Sequence, residues 1–162
     1  MACPTAPKPP AGTDWRGLMD VAFGEACLAA KAGEAPIGAA LFAPNGTLIA
    51  SAHNGPIGLN DPTGHAEVLC LRKAGAALGN YRLTGTIMAV TLEPCLMCTG
   101  ALLHARVAGV VFAARDERAG ALVSNLNGCA LPFANHRLWT VEGVMGQECS
   151  ALLKRFFLER RK

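Results

Sequence analysis

Apolar residues recur at helical spacing through Trp15, Leu18, Met19, Ala22, Phe23, Ala26, Cys27 and Ala30, which predicts a helix running to about Lys31. Asp14 is its expected N-cap and Gly33 closes it. The run from Pro36 to Ala43, PIGAALFA, is apolar with small residues. Pro44-Asn45-Gly46 then makes a turn and Thr47 to Ala52 returns, predicting a hairpin. His53 to Gly58 reads as a loop by composition, and Val68 to Leu78 as a helix. A strand is expected over Thr86 to Leu92, a helix from Cys95 to about Ala105 and a strand over Val107 to Ala113. Arg115 to Asn135, interrupted by Gly120, Asn125, Asn127, Gly128 and Pro132, reads as mostly loop with one short helical turn. Leu138 to Val141 predicts a last strand. Gln147 to Arg161 predicts a terminal helix with Cys149, Leu152, Leu153, Phe156 and Phe157 on its apolar side.

Strands alternating with helices lie parallel in a sheet, and the hairpin adds an antiparallel part, so the fold class is α/β with a mixed sheet covered on both faces. Sites in such folds sit at the carboxyl ends of strands. A length of 162 residues suits a single domain, read here as 14–162, and no run of about 18 apolar residues offers a membrane span, so a soluble protein is expected. Met1 to Thr13, rich in Pro, Ala and Lys and without an apolar core, reads as a disordered leader, not a signal peptide. Seven cysteines without regular spacing argue against a disulfide framework and for a reducing, cytoplasmic setting. The net charge of +3 neither establishes nor opposes binding to nucleic acid.

The candidate chemistry lies in TLEPCLMCTGALLHAR, residues 91–106. Pro94 marks the start of a helix, and Cys95 and Cys98, three apart on its first turn, present both sulfurs on one face at the positive end of the helix dipole. A catalytic zinc needs a third protein ligand and an open fourth position. His65 offers the imidazole. Glu67, two residues on, can face the same metal only if His65 sits at an irregular helix boundary, which Pro62 and Gly64 favour. H-x-E followed by P-C-x-x-C is the signature of zinc nucleobase deaminases, in which the glutamate moves protons and does not bind the metal. Two plainer readings compete: a C-x-x-C redox pair, and a structural zinc site completed by His104. Cys27, Cys70 and Cys149 occupy core-like helical positions and read as packing residues.

The chain resembles the bacterial tRNA-specific adenosine deaminases of the cytidine deaminase-like superfamily, through EAPIGAAL (34–41), HNGPIGLNDPTGHAEVLCLR (53–72), NYRLTGT (80–86), VTLEPCLMCTGALLHAR (90–106), VVFAARD (110–116) and ECSALLKRFFLERR (148–161). The resemblance covers nearly everything after the leader. It implies a three-layer α-β-α fold with a mixed central sheet of about five strands and helices on both faces. It also implies one Zn2+ per subunit held by His65, Cys95 and Cys98, with Glu67 as the catalytic proton shuttle, and a homodimer. The substrate would be the wobble adenosine of a tRNA anticodon stem-loop, of an arginine-accepting tRNA in bacterial members, and the product inosine with release of ammonia. Asn54 matches a residue that holds the base or its sugar, and Asp116 one near the neighbours of the flipped-out nucleotide. Departures are His53 for a frequent aromatic residue, Gly55 for a frequent basic one and Gly64 for a frequent alanine.

An unpaired or extruded base calls for a basic approach with stacking surfaces. Lys154, Arg155, Arg160, Arg161 and Lys162 are the candidate cations, with Phe156 and Phe157 interleaved; Phe157 and Arg160 are the substrate-binding candidates in this tail. The competing reading of the tail is a solvated helix end with core phenylalanines, and that of Asn54 a loop asparagine holding its own backbone. A deaminase of free guanine- or cytosine-type bases or nucleosides is the alternative function, and a zinc-stabilised RNA-binding domain the non-enzymatic one.

Overall fold

A computed structural model describing residues 2–161 contains a five-stranded sheet. In it β2 (Leu48–His53), β1 (Gly38–Phe42), β3 (Ile87–Leu92), β4 (Gly109–Ala114) and β5 (Trp139–Glu142) lie side by side in that order. β1 is antiparallel to β2 and β3, while β3, β4 and β5 are mutually parallel. The carboxyl ends of β2, β3 and β4 therefore share one edge, which carries Asn54, Glu93 and Asp116.

Both sheet faces are dry, which explains why the strands read as unbroken apolar runs. Ala39, Leu41, Met88, Val90, Val110 and Phe112 point to one face; their neighbours Ala40, Phe42, Ile87, Ala89, Val111 and Ala113 point to the other. Each fully buried large side chain among them contributes roughly 1.5–3 kcal/mol. The first face packs against α3 (Ala66–Leu78), α4 (Leu96–His104) and a 3₁₀ turn at Gly128–Ala130, the second against α1 (Trp15–Lys31) and α5 (Gly146–Glu159). Three layers result. Gly38 lets α1 lie directly on the sheet, since a Cβ there would stand 2.1 Å from the Ala22 carbonyl oxygen.

Asp14 caps α1 by accepting from the Gly17 N–H at 2.6 Å. The loop expected over His53 to Gly58 instead contains a single helical turn, α2 (Pro56–Leu59), whose fold is helped by Pro56 at its first position and by Glu34, which accepts from the Gly58 N–H at 2.7 Å.

Residues 2–13 lie along the domain: Cys3 packs against one core, Ala6 against the other, and Pro10 is buried beside Gly46. Met1 lies outside the described residues. Cys3 and Cys129 lie side by side, with Cα atoms 5.5 Å apart across 126 residues of sequence, a proximity that the cysteine spacing does not show. Among the described residues no helix is long and apolar enough to cross a membrane.

Candidate metal centre

His65 and Cys95 occupy matching places, each the N-cap of a helix whose first turn carries the next functional group. His65 precedes α3 with φ −73° and ψ 149°, and Cys95 precedes α4 with φ −72° and ψ 175°. Neither side chain caps its own helix, so both are left to face the gap between the two helix starts. Glu67 falls in the first turn of α3 and Cys98 in that of α4. The extended backbone of His65 is the irregular boundary that H-x-E requires if both side chains are to converge.

His65 Nδ1 lies 3.7 Å from Cys95 Sγ and 3.6 Å from Cys98 Sγ, and the three donor atoms all fall within 4.8 Å of one another. Tetrahedral zinc, with sulfur at about 2.3 Å and nitrogen at about 2.0 Å, needs its sulfur and nitrogen ligands about 3.5 Å apart, so the donors fit the ion in kind and in spacing. Among the described residues no fourth His, Cys, Asp or Glu joins the group. His104 is exposed at the far end of α4, which removes the structural-site reading.

The electrostatics also favour a cation. Cys95 is drawn down to about 4 by the hydrogen bond from Cys98 and by His65, while the Cys98 thiol is pushed up by the adjacent Cys95 and by burial. One negative charge is thus shared between two sulfurs, and a divalent ion would stabilise the second. His65 is raised by its hydrogen bond with Cys95. Glu67 is only 4% exposed, and burial pushes its carboxyl up to about 6. A carboxyl poised there can take up and return a proton near neutrality.

The surrounding loop is built to hold this geometry. Asn54 is buried, and its Oδ1 accepts from the Ala66 N–H at 2.9 Å, pinning the start of α3 beside His65. Gly55 donates to the Gly64 carbonyl at 2.9 Å, and Asp61 accepts from the N–H and hydroxyl of Thr63. On the other side Asp116, at the end of β4, accepts from the N–H groups of Arg118 and Ala119. A cleft of about 750 Å³ opens at this edge, and Asp116, Lys154, Phe157 and Arg161 are among its walls. Phe157 is 47% exposed while Phe156 is buried, as adjacent helical residues must divide. Arg160 does not line the cleft. Its guanidinium donates to the Gly33 carbonyl and stacks over Phe156 at 4.2 Å, so it ties α5 to the end of α1 and is already engaged within the chain. Lys162 lies outside the described residues.

The residue that sequence reasoning left without a role is Glu93. It is 2% exposed and accepts four hydrogen bonds, and its position directly before Pro94 was the only signal for it.

The zinc-binding region of cytidine and deoxycytidylate deaminases matches residues 13–114. A tRNA-specific adenosine deaminase of Bacillus subtilis is 43% identical over 144 residues, covering 89% of this chain and 89% of the relative. One of Haemophilus influenzae is 42% identical over 130 residues, covering 80% and 75%. A solved structure from studies of A-to-I editing by tRNA:A34 deaminases at the wobble position of transfer RNA is similar with a TM-score of 0.82 and 37% identity, over 85% of this chain and 99% of that one. Matches at this identity over most of both chains show the family: the chain belongs to the tRNA-specific adenosine deaminases, within the zinc-binding cytidine and deoxycytidylate deaminase family.

Proposed function

We propose that the protein is a zinc-dependent hydrolase that converts adenosine to inosine at the wobble position of a tRNA anticodon, cleaving the exocyclic C6–N bond of the cyclic amidine and releasing ammonia. The observation that carries the chemistry is the buried Glu67 carboxyl beside a three-donor cluster that no fourth protein ligand joins among the described residues. His65, Cys95 and Cys98 would hold the zinc, which when bound makes hydroxide accessible near neutral pH. Glu67 accepts the proton of the attacking water and delivers it to the ring nitrogen beside C6. It then takes the remaining proton from the hydroxyl added at C6 and passes it to the amino group, which leaves as ammonia as the carbonyl forms. Water and adenosine are thereby balanced against inosine and ammonia.

Substrate contacts follow the cleft. Asp116 and Phe157 line it and are assigned to the nucleotides flanking the target, Phe157 by stacking. Asn54, with its Oδ1 committed to Ala66, offers its amide nitrogen to the nucleoside. Arg160 serves the substrate only indirectly, by fixing the helix that carries Phe157. Lys154 and Arg161 supply cations for phosphates. The tRNA is proposed to be arginine-accepting and the setting cytoplasmic. A homodimer is supported by the groove between α3 and α4 and by exposed apolar side chains on the same elements, with Leu78 51% and Leu96 61% exposed.

Zinc-loaded protein incubated with anticodon stem-loop RNA should release ammonia and form inosine, and should leave free adenosine, guanine and cytidine unchanged. Activity confined to free bases or nucleosides would select the small-molecule alternative. RNA retention without ammonia would select a binding domain.

A further inference from the structure

Outside the metal donors and Glu67, the most heavily engaged buried side chain is Glu93. Its Oε1 accepts from the backbone N–H groups of Val123 at 2.8 Å and Ser124 at 2.9 Å. Its Oε2 accepts from the Asp116 N–H at 3.1 Å and from the Ser124 hydroxyl. One carboxylate thus gathers both ends of a segment that would otherwise leave three backbone donors without a partner at a buried edge. Glu93 is itself anchored, because its own N–H donates to the Ala114 carbonyl at 2.8 Å, where β3 and β4 end.

The segment it gathers stands against the metal-binding turn. Gly120 pairs with Cys95 in an isolated antiparallel bridge, and Ala121 donates to the Pro94 carbonyl at 2.9 Å. The fit is tight: a Cβ on Gly120 would lie 2.4 Å from Glu93 Oε2 and 2.5 Å from the Asp116 carbonyl oxygen. Asn125 closes the turn by donating to the Gly120 carbonyl at 2.9 Å. The start of this segment, Asp116 to Arg118, forms one wall of the cleft. Glu93 therefore connects two things the reaction needs held in register, the cysteine turn and the wall beside it.

We propose that Glu93 is a positioning residue for substrate: it fixes the 116–124 segment against the cysteine turn and so sets the shape of the cleft that grips nucleotides flanking the target base, without touching the reacting atoms. This rests on the functional reading above. Glu93→Gln is nearly isosteric but replaces one acceptor oxygen with an NH2 group that faces donors, so part of the cluster must open.

The test is steady-state kinetics on anticodon stem-loop RNA with zinc content measured on each variant. Glu93→Gln should retain its zinc and raise KM by about ten- to a hundredfold, the scale of a lost charge-assisted hydrogen bond, with a smaller change in kcat. Ser124→Ala, which removes one donor and leaves the carboxylate, should raise KM in the same direction by less. Glu93→Asp should recover part of the loss. Unchanged KM in both Glu93→Gln and Ser124→Ala overturns the inference, as does loss of zinc in Glu93→Gln, which would make the residue a support of the metal turn alone. An inactive wild-type protein on this RNA would sink the functional reading instead, a result the variants cannot mimic.

Discussion

His65 Nδ1 lies 3.6 Å from Cys98 Sγ although the two residues are 33 apart in sequence. The contact exists because two helices begin at one point, each with a metal donor in its cap position. Their positive dipole ends meet there and favour the thiolates and the carboxylate gathered between them.

Zinc should stabilise the fold by mass action. At a free concentration about 1,000-fold above its dissociation constant the gain is about 4 kcal/mol, or roughly 10 °C in Tm for a chain of this size. Thermal unfolding with and without a chelator reads this shift. Cys98→Ser should abolish the zinc dependence, and a variant that kept the full shift would remove that sulfur from the site.

Zinc affinity should rise with pH across the neutral range. In the metal-free chain Cys95 is already a thiolate above about 4, but Cys98 is pushed up by Cys95 and by burial, and His65 is raised by Cys95. The bound metal needs a neutral imidazole and two thiolates, so binding at pH 7 expels protons from Cys98 and from His65. Calorimetry in two buffers of different ionisation enthalpy should show net proton release; no release or net uptake would contradict the assignment.

Glu67→Gln should keep the metal and lose turnover by about a hundredfold or more, the usual worth of a positioned proton carrier. Zinc content and single-turnover inosine formation check the two halves separately. Turnover near wild type in the zinc-loaded variant would move the proton to another group.

The two neighbouring phenylalanines should part company. Phe157→Ala should leave Tm nearly unchanged and weaken RNA binding by about 1–3 kcal/mol, the value of one stacked base. Phe156→Ala, buried beneath Arg160, should instead destabilise the fold by about 3–5 kcal/mol. Equal effects of the two on RNA binding, at equal stability, would show that Phe157 is not a stacking surface.

What could be read from the sequence was whatever depends on neighbours along the chain. Asp14 as a cap, the unbroken apolar β3 and β4 runs and the two metal turns each carry a local signature, and each appears within a residue or two of its expected bounds. The position of His65 at the helix boundary followed from Pro62 and Gly64 alone. α2 was missed because four residues are too few to show a period, and its stabilising carboxylate, Glu34, lies 24 residues from the N–H it accepts. The contacts of residues 2–13 are equally hidden from the sequence. The Pro-rich composition there argues for disorder, while Cys3 and Pro10 find partners far along the chain. Arg160 donates to the Gly33 carbonyl across 127 residues, a partner that no local pattern shows. Glu93 had no visible partner because its donors lie 23 to 31 residues downstream in a stretch without periodicity.

X-ray absorption at the zinc edge tests the central claim most directly, since it counts the atoms around the metal in solution. Two sulfurs at about 2.3 Å, one imidazole nitrogen and one further light atom from solvent at about 2.0 Å are the expected shell. A third sulfur, a second imidazole or a fully protein-ligated ion would leave no place for water, and would contradict the account.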